Sequence, residues 1–471
     1  MSPLLKTNHI HIIGAGLAGC EATFQLTKRG FEVILYDMKP QETSAAHHSR
    51  TLAEIVCSNS FGSINTNESA TASGLLKAEM MLMDCELLKI AQQVAVPAGK
   101  ALAVDREAFT QTVTEQVKAN PKVTFICKNM ANLPDDAWVL IATGPMTSTE
   151  LSESIAQLLK REQLYFFDAA APIISKDSIN FDTAFYQDRY DAGLEGKKEQ
   201  NGSYINCPLN KEQYEALVDI LINGEKTELK SFETESASFF ESCMPVEVMA
   251  SRGIQTLRYG PMKPVGLTDP RTGRWPYAVV QLRQDNAEGT LYNMVGFQTN
   301  LKWNVQKQMI QMIPGLEEAN VVRYGVMHRN TYIHSPEVLK PTLQLKEYPK
   351  ILLAGQLTGT EGYTESVATG MMAALNIARL CNHMEPIVPP QETMLGSLLR
   401  YITRPEAMHQ NFQPINSNWG ILPELPEGAY KRKDKKTRNK LYVERSRVKL
   451  LEWIATAEES LIDIPTITDL S

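Results

Sequence analysis

The most restrictive stretch of this 471-residue chain is residues 9–37, HIHIIGAGLAGCEATFQLTKRGFEVILYD. His9 to Ile13 is an apolar run that predicts a short buried strand. Gly14, Gly16 and Gly19 follow in G-x-G-x-x-G spacing. A helix is predicted over Glu21 to Lys28, with Gly30 as its stop and Phe31 to Tyr36 as a second strand. Asp37 closes that strand, 18 residues after the third glycine (37 − 19). Together these parts make a βαβ unit suited to a dinucleotide. Gly14 permits the tight turn, Gly16 lets backbone approach a pyrophosphate, and Gly19 lets the helix pack closely on the strand. Ala15, Leu17 and Ala18 belong to the same phosphate turn, where the helix start offers free N–H groups and a positive dipole end. Asp37 can accept hydrogen bonds from an adenosine ribose. A bare glycine spacing would also fit an ordinary turn; the flanking strands and the terminal acid argue for the nucleotide.

Length and composition narrow the possibilities further. The chain is long enough for two or three domains, and 43% hydrophobic with 21% charged residues is ordinary for a soluble globular protein. It lacks a run of about 18 apolar residues, so no membrane span is expected. The amino terminus leads straight into the first strand, so no signal peptide is expected. Seven scattered cysteines without a C-x-x-C pair suggest neither a metal site nor a disulfide framework, and a cytoplasmic setting with free thiols is expected. The net charge of −7 argues against nucleic acid only on average. From Lys431 to Lys449 the chain carries ten Lys/Arg and two acids, a segregated basic segment that includes Arg432, Lys433, Lys435 and Lys436. A solvated surface helix and a phosphate-binding segment both fit that run.

Between the ends the pattern changes twice. After Asp37 comes a long irregular stretch with Arg50, Cys57, Ser58, Asn59 and Ser60, of the kind that is more often functional than idle. Leu75 to Val94 reads as one helix, Asp105 as the cap of another, VTFIC (123–127) as a strand, and WVLIATGP (138–145) as a strand ending at Thr143 and Gly144. From about 165 to 335 β-rich segments dominate: YFFDAAAPII, SYINCPL, TLRYGPMKPVGL, YAVVQLRQ and LYNMVGFQT. KILLAGQLTGTEGYTESVATGMMAALNIARL then returns to strand, glycine-rich turn and helix, with Gly355, Gln356 and Gly359 at the turn. A strand tip at Thr143–Gly144 and a late glycine turn favour FAD over NAD as the resident nucleotide, and a second G-x-G-x-x-G is missing. The expected fold is α/β, a Rossmann-type FAD-binding domain (1–165 and 336–385) split by an inserted mixed α/β substrate domain (166–335). A linker and basic segment (386–471) is expected to pack on the FAD domain.

Chemistry needs a nucleophile, and two thiols stand out. Cys243 lies in FFESCMPVEVMASRG, with Arg252 and Arg258 following, and nearby cations favour a thiolate. Cys57 lies in the irregular loop that starts beside the nucleotide turn. Cys20, Cys85, Cys127 and Cys381 sit in helix or strand patterns and read as structural, whereas Cys207 fits either class. Polar residues in apolar stretches, among them Asp168, Arg283, Asp285 and His328, are candidates for site roles. Plain alternatives are a core histidine at His328 and an ion pair between Arg283 and Asp285.

Strings along residues 10 to 380 carry a resemblance. GAGLAGCEA, EIVCSNSF, VPAGKALAVDRE, ESCMPVEVMASRG, TLRYGPMKPVGLTDPRTGR, PYAVVQLRQDN and LAGQLTGTEGYTESVATG occur in order. The chain resembles the folate- and FAD-dependent tRNA (uracil-5-)-methyltransferases, relatives of the larger glucose-inhibited-division type flavoproteins. The family often has glutamate where this chain has Asp37. The resemblance implies C5 methylation of the T-loop uridine of tRNA. In that scheme a thiolate adds to uracil C6 so that C5 can take up a one-carbon unit from methylenetetrahydrofolate by way of the flavin, with NAD(P)H as reductant. It implies Cys243 as the attacking thiol, Cys57 as a second thiol close to the flavin, and RNA contacts from Arg252 and from Lys431 and its basic neighbours. Competing readings of the same residues are the same chemistry on 23S ribosomal RNA, a small-molecule flavin oxidoreductase with a merely solvated tail, and a non-catalytic RNA-binding flavoprotein.

Overall fold

The computed structural model describes residues 9–43, 47, 49–66, 70–135, 137–160, 164–169, 171–189, 202–227, 244–325, 327–408, 412–431 and 434–457; for 164–169 and 327–329 it describes backbone only. Five parallel strands form the first sheet, in the order Ile351–Leu353, Trp138–Ile141, β1 (Ile10–Ile13), β2 (Val33–Asp37) and Val123–Cys127. The glycine unit thus sits at its centre. Helix α1 (Leu17–Lys28) begins a full turn before the predicted Glu21, because Gly16 is extended and its carbonyl already accepts the Cys20 N–H at 2.9 Å. One face of the sheet packs against α1 and the long helix Tyr363–Cys381. These two helices approach so closely that a Cβ on Gly370 would lie 2.2 Å from the Ala18 carbonyl oxygen. Helix packing therefore accounts for Gly370.

The single helix predicted over Leu75 to Val94 is two, Ala72–Leu82 and Glu86–Gln93. Asp84 breaks the run with φ +64, its carboxylate held between Lys28 and Lys89. The second helix restarts on Glu21, a fully buried side chain that accepts the Glu86 and Leu87 N–H groups. Burial pushes that carboxyl above its ordinary range.

Strands from residues 173–323 build a separate six-stranded antiparallel sheet, in the order Phe185–Tyr186, Tyr204–Leu209, Ala278–Gln284, Leu291–Met294, Ile173–Ser175, Val321–Arg323. Its period-two pattern divides the side chains between two faces. Ile174, Leu282, Tyr292 and Met294 go into a core covered by helices Lys211–Asn223, Val246–Ser251 and Trp303–Gln311. An antiparallel ribbon of Leu164–Ala169 with Met327–Tyr332 leads into and out of this unit. TLRYGPMKPVGL, predicted to be β-rich, instead holds a short helix, Thr256–Tyr259, followed by turns. Pro261 and Pro264 lack the N–H groups that a ladder needs.

The C-terminal helix Lys435–Ala457 buries Tyr442, Ser446, Leu450 and Ile454 against the first core. Its anchor is Glu79, a buried carboxylate that accepts Ser446 Oγ at 2.5 Å and the Met394 and Leu395 N–H groups at 2.7 and 2.8 Å. Glu79 thereby ties three helices together. Among the described residues no helix is long and apolar enough to cross a membrane.

Candidate active site

The carboxyl ends of three adjacent strands, β1, Trp138–Ile141 and Ile351–Leu353, carry the three predicted cofactor turns. Gly14 to Gly19 follow the first, Thr143 and Gly144 the second, and Gly355, Gln356 and Gly359 the third. This is the edge where open α/β sheets bind nucleotides. Two glycines of the first turn answer different needs. A Cβ on Gly19 would lie 1.9 Å from the Gly14 carbonyl oxygen, whereas a Cβ on Gly16 would meet no protein atom within 4 Å. Gly19 is therefore a packing glycine, and Gly16 faces open room at the start of α1, as a pyrophosphate requires.

A cleft beside that turn is lined by Gly14, Gly16, Asp37, Lys39, Lys128 and Thr143. Asp37 is already engaged: Oδ2 accepts the Ala15 N–H at 2.7 Å and Oδ1 the Lys39 N–H at 2.9 Å. A carboxylate has lone pairs to spare for a ribose hydroxyl. The shorter aspartate also binds the glycine turn to the end of β2. Lys39 and Lys128, which motif reading did not single out, bring positive charge to the same cleft. The residues present thus fit the adenosine half of the FAD expected from the sequence.

Gln356 donates to Glu361 at 2.5 Å, Thr358 and Thr360 hydroxyls donate to the Gly355 carbonyl, and Gly359 lies against the Phe412 ring. From this turn the helix Tyr363–Cys381 starts, and its first residue reaches the Cys57 loop. Tyr363 Oη accepts the Cys57 and Ser58 N–H groups at 2.8 and 3.3 Å and lies 3.4 Å from Cys57 Sγ. Burial, followed by the neighbouring Cys57 charge, holds the Tyr363 hydroxyl well above its ordinary pKa. It therefore stays protonated and donates to the sulfur. Cys57 itself is half-buried. Cys20, Cys85 and Cys207 are fully buried, with their thiols pushed far up by desolvation, and Cys381 is pushed up to about 12. None of those four is a nucleophile at neutral pH. Cys207 is thereby settled as a core residue.

The inserted sheet closes on this loop. Asn59, fully buried, donates to the Val104 and Gln284 carbonyls at 3.0 and 2.9 Å and accepts from Arg283 Nε at 3.1 Å. Asp285 pairs with Arg106 at 2.9 Å, and Arg106 Nη1 reaches the Ile55 carbonyl at 2.6 Å. The Arg283–Asp285 pair read from the sequence is thus replaced by two links across the two units. Tyr363 and Arg106 were missed. The signal was present, since Tyr363 lies in LAGQLTGTEGYTESVATG directly after the glycine turn and Arg106 in VPAGKALAVDRE directly after the Asp105 cap, but nothing local in either string says what the side chain meets.

Other predicted residues divide. Cys243, Arg432 and Lys433 lie outside the described residues. Arg252, Lys431, Lys435 and Lys436 are exposed, the first at the end of Val246–Ser251, Lys431 ahead of the C-terminal helix and the last two at its start. His328 and Asp168 are register partners on the ribbon.

Comparison with known proteins places the chain in a family. The family model described as glucose inhibited division protein A matches residues 9–385. The methylenetetrahydrofolate–tRNA-(uracil-5-)-methyltransferase TrmFO of Halalkalibacterium halodurans is 53% identical over 434 residues, covering 92% of this chain and 96% of that protein. The protein of the same name from Lysinibacillus sphaericus is 52% identical over 437 residues, covering 93% and 96%. Among solved structures, GidA of Aquifex aeolicus superposes with a TM-score of 0.67 at 14% identity, covering 98% of this chain and 75% of that one. At that identity the likeness speaks for the fold.

Proposed function

The chain belongs to the glucose inhibited division protein A family and, within it, to the methylenetetrahydrofolate–tRNA-(uracil-5-)-methyltransferases, and from that premise we propose how its residues act. It is a folate-dependent enzyme that methylates a tRNA uridine at C5. We assign the T-loop uridine as the target, NAD(P)H as the reductant and the cytoplasm as the location. Residues 1–165 with 336–385 form the FAD domain in this reading, 166–335 the substrate domain, and 386–471 a tail that adds RNA contacts. The observation that carries the reading is the kinship in sequence over nearly the whole chain. The three strand-end turns and the Cys57 loop supply its geometry.

The glycine turn and Asp37 hold the adenosine end of FAD in this proposal, with Thr143, Gly144, Gly355, Gln356 and Gly359 along the rest. Bound flavin and methylenetetrahydrofolate together supply the one-carbon unit and the electrons that reduce it to a methyl group. Cys243 adds as thiolate to uracil C6, and the displaced electron pair moves onto O4, which makes C5 nucleophilic. Once C5 has accepted the carbon, its proton leaves to a base and the Cys243 thiolate departs, restoring the ring. Cys57 is held by Tyr363 at the flavin end of the site, and the Tyr363 hydroxyl keeps a proton at that sulfur. Arg252, Lys431, Arg432, Lys433, Lys435 and Lys436 contribute phosphate contacts.

The test is direct. The protein is incubated with unmodified tRNA, methylenetetrahydrofolate and NADH, and nucleosides are analysed. Formation of 5-methyluridine is expected, and S-adenosylmethionine in place of folate should give none. Absence of product from flavin-loaded, reduced protein overturns the reading.

A further inference from the structure

The face of the inserted sheet that turns away from its helices carries a row of donors. Register pairs Arg283 with Asn293 and Asn293 with Ile173, and a bulge brings Arg323 opposite Ile173 as well. Directly opposed residues share a sheet face. Arg283 fixes which way this face looks, because it reaches Asn59 beside Cys57. Arg283 is thereby engaged through Nε, and its guanidinium also meets the Tyr204 side chain. Asn293 and Arg323 are not so engaged: Asn293 Nδ2 and Arg323 Nε and Nη2 are buried without a hydrogen-bond partner. Asn293 is 2% exposed, so its amide cannot look to bulk water. Across from them Arg106 is held by Asp285 and Ile55 through Nε and Nη1, while its Nη2 is a fourth buried orphan.

These orphans share two properties. Every one is an N–H donor, and none is an acceptor. Three of the four belong to two guanidinium groups close enough to feel each other: burial and the Arg106 charge bring Arg323 down to about 10, against the opposing pull of Asp285, Tyr363 and Cys57. A buried donor costs on the order of 1–3 kcal/mol when left unmade. Two cations against the single carboxylate of Asp285 leave an excess positive charge. A purely structural network would be expected to satisfy these atoms. A ligand that brings only acceptor oxygens and negative charge satisfies all of them at once.

We propose that Asn293, Arg323 and Arg106 form an oxyanion subsite for a substrate between the inserted sheet and the Cys57 loop. The ligand chemistry is a negatively charged oxygen in a buried setting. Resting on the proposed function, two sources have that chemistry: a glutamate carboxylate of the folate co-substrate, and the O4 oxygen of uracil when Cys243 adds to C6. In the first case the subsite determines folate affinity. In the second it stabilises charge that appears only during reaction.

The experiment uses full-length flavin-loaded protein carrying Arg323→Met, with Asn293→Leu as a second, near-isosteric variant. Flavin absorbance and melting temperature report the fold. Tetrahydrofolate and unmodified tRNA are titrated separately, and turnover is measured at saturation. A dissociation constant for tetrahydrofolate raised about tenfold or more, with tRNA binding unchanged, identifies the carboxylate. Unchanged binding of both with kcat reduced about a hundredfold identifies the uracil oxygen. Arg323→Lys, which keeps the charge but loses the planar fork, should fall between wild type and Arg323→Met. The proposal is overturned if both variants keep wild-type affinities and turnover, or if flavin alone is lost. The binding arm needs no turnover. Weakened tetrahydrofolate binding in protein that makes no 5-methyluridine would sink the functional reading and leave the subsite standing.

Discussion

Tyr363 Oη stands 3.4 Å from Cys57 Sγ while accepting the Cys57 N–H at 2.8 Å, so one side chain at a helix start holds both the backbone and the thiol of a loop 306 residues earlier. The helix belongs to the late strand–turn–helix element and the loop to the stretch after β2. Their junction marks where the two ends of the nucleotide domain meet. Asn59, two residues further on, ties the same loop to the inserted sheet.

Gly16 and Gly19 should separate cofactor binding from folding. Gly16→Ala places a methyl group in room that the protein leaves open, so the melting temperature should hold while flavin occupancy falls at least about tenfold. Gly19→Ala drives a methyl group into the Gly14 carbonyl and should destabilise the fold by a few kcal/mol, on the order of other overpacked sites. Flavin absorbance and thermal melts distinguish the two; equal loss of stability in both variants contradicts the assignment.

Cys243→Ala should leave the protein yellow and stop methylation, since in the proposed scheme the thiol acts on uracil and not on the cofactor. Single-turnover assays should show less than about a hundredth of wild-type product, as for loss of a covalent nucleophile. Retention of normal product would move the attacking role elsewhere, with Cys57 next in line.

Asn59→Ala should loosen the two units from each other. Truncation strands two buried carbonyls and Arg283 Nε, a cost of about 2–4 kcal/mol if each lost partner weighs as buried polar groups do. Faster amide exchange is expected in Ala278–Gln284 and in residues 57–61, with the far helix Lys435–Ala457 unaffected. Uniform protection across all three would show that the contact carries no weight.

Glu79 should give the fold a pH dependence of unusual sign for a carboxylate. Its pKa is raised by burial from 4.5 to about 7 in the folded chain, so the native state holds the proton more tightly than the unfolded state does. That contribution is fully present below about 4.5 and is lost as pH rises through about 7, a swing on the order of 3 kcal/mol. Glu79→Gln keeps the acceptor for Met394 or Leu395 and removes the titration. Denaturant melts between pH 4.5 and 7.5 should show a slope in wild type that flattens in the variant; parallel curves would remove Glu79 as the cause.

By itself the sequence determined the nucleotide unit, the parallel strands around it, the separate β-rich unit and the family. These are local matters: apolar period, glycine spacing and cap residues act within a few positions of one another. VTFIC was legible as a strand to the residue, and Asp105 as a cap, for that reason. Where a long-range contact outweighed local pattern, the reading missed. The Leu75–Val94 run broke because Asp84 found Lys28 and because Glu21 offered a carboxylate to a new helix start. Tertiary structure alone decided what each polar side chain meets: Asp285 takes Arg106 from 179 residues away, Cys57 takes Tyr363, and Asn293, Arg323 and Arg106 are each left with a buried unmatched donor. Such partners are set by how the two sheets approach each other, and that approach is fixed by packing over whole faces rather than by any short stretch of chain.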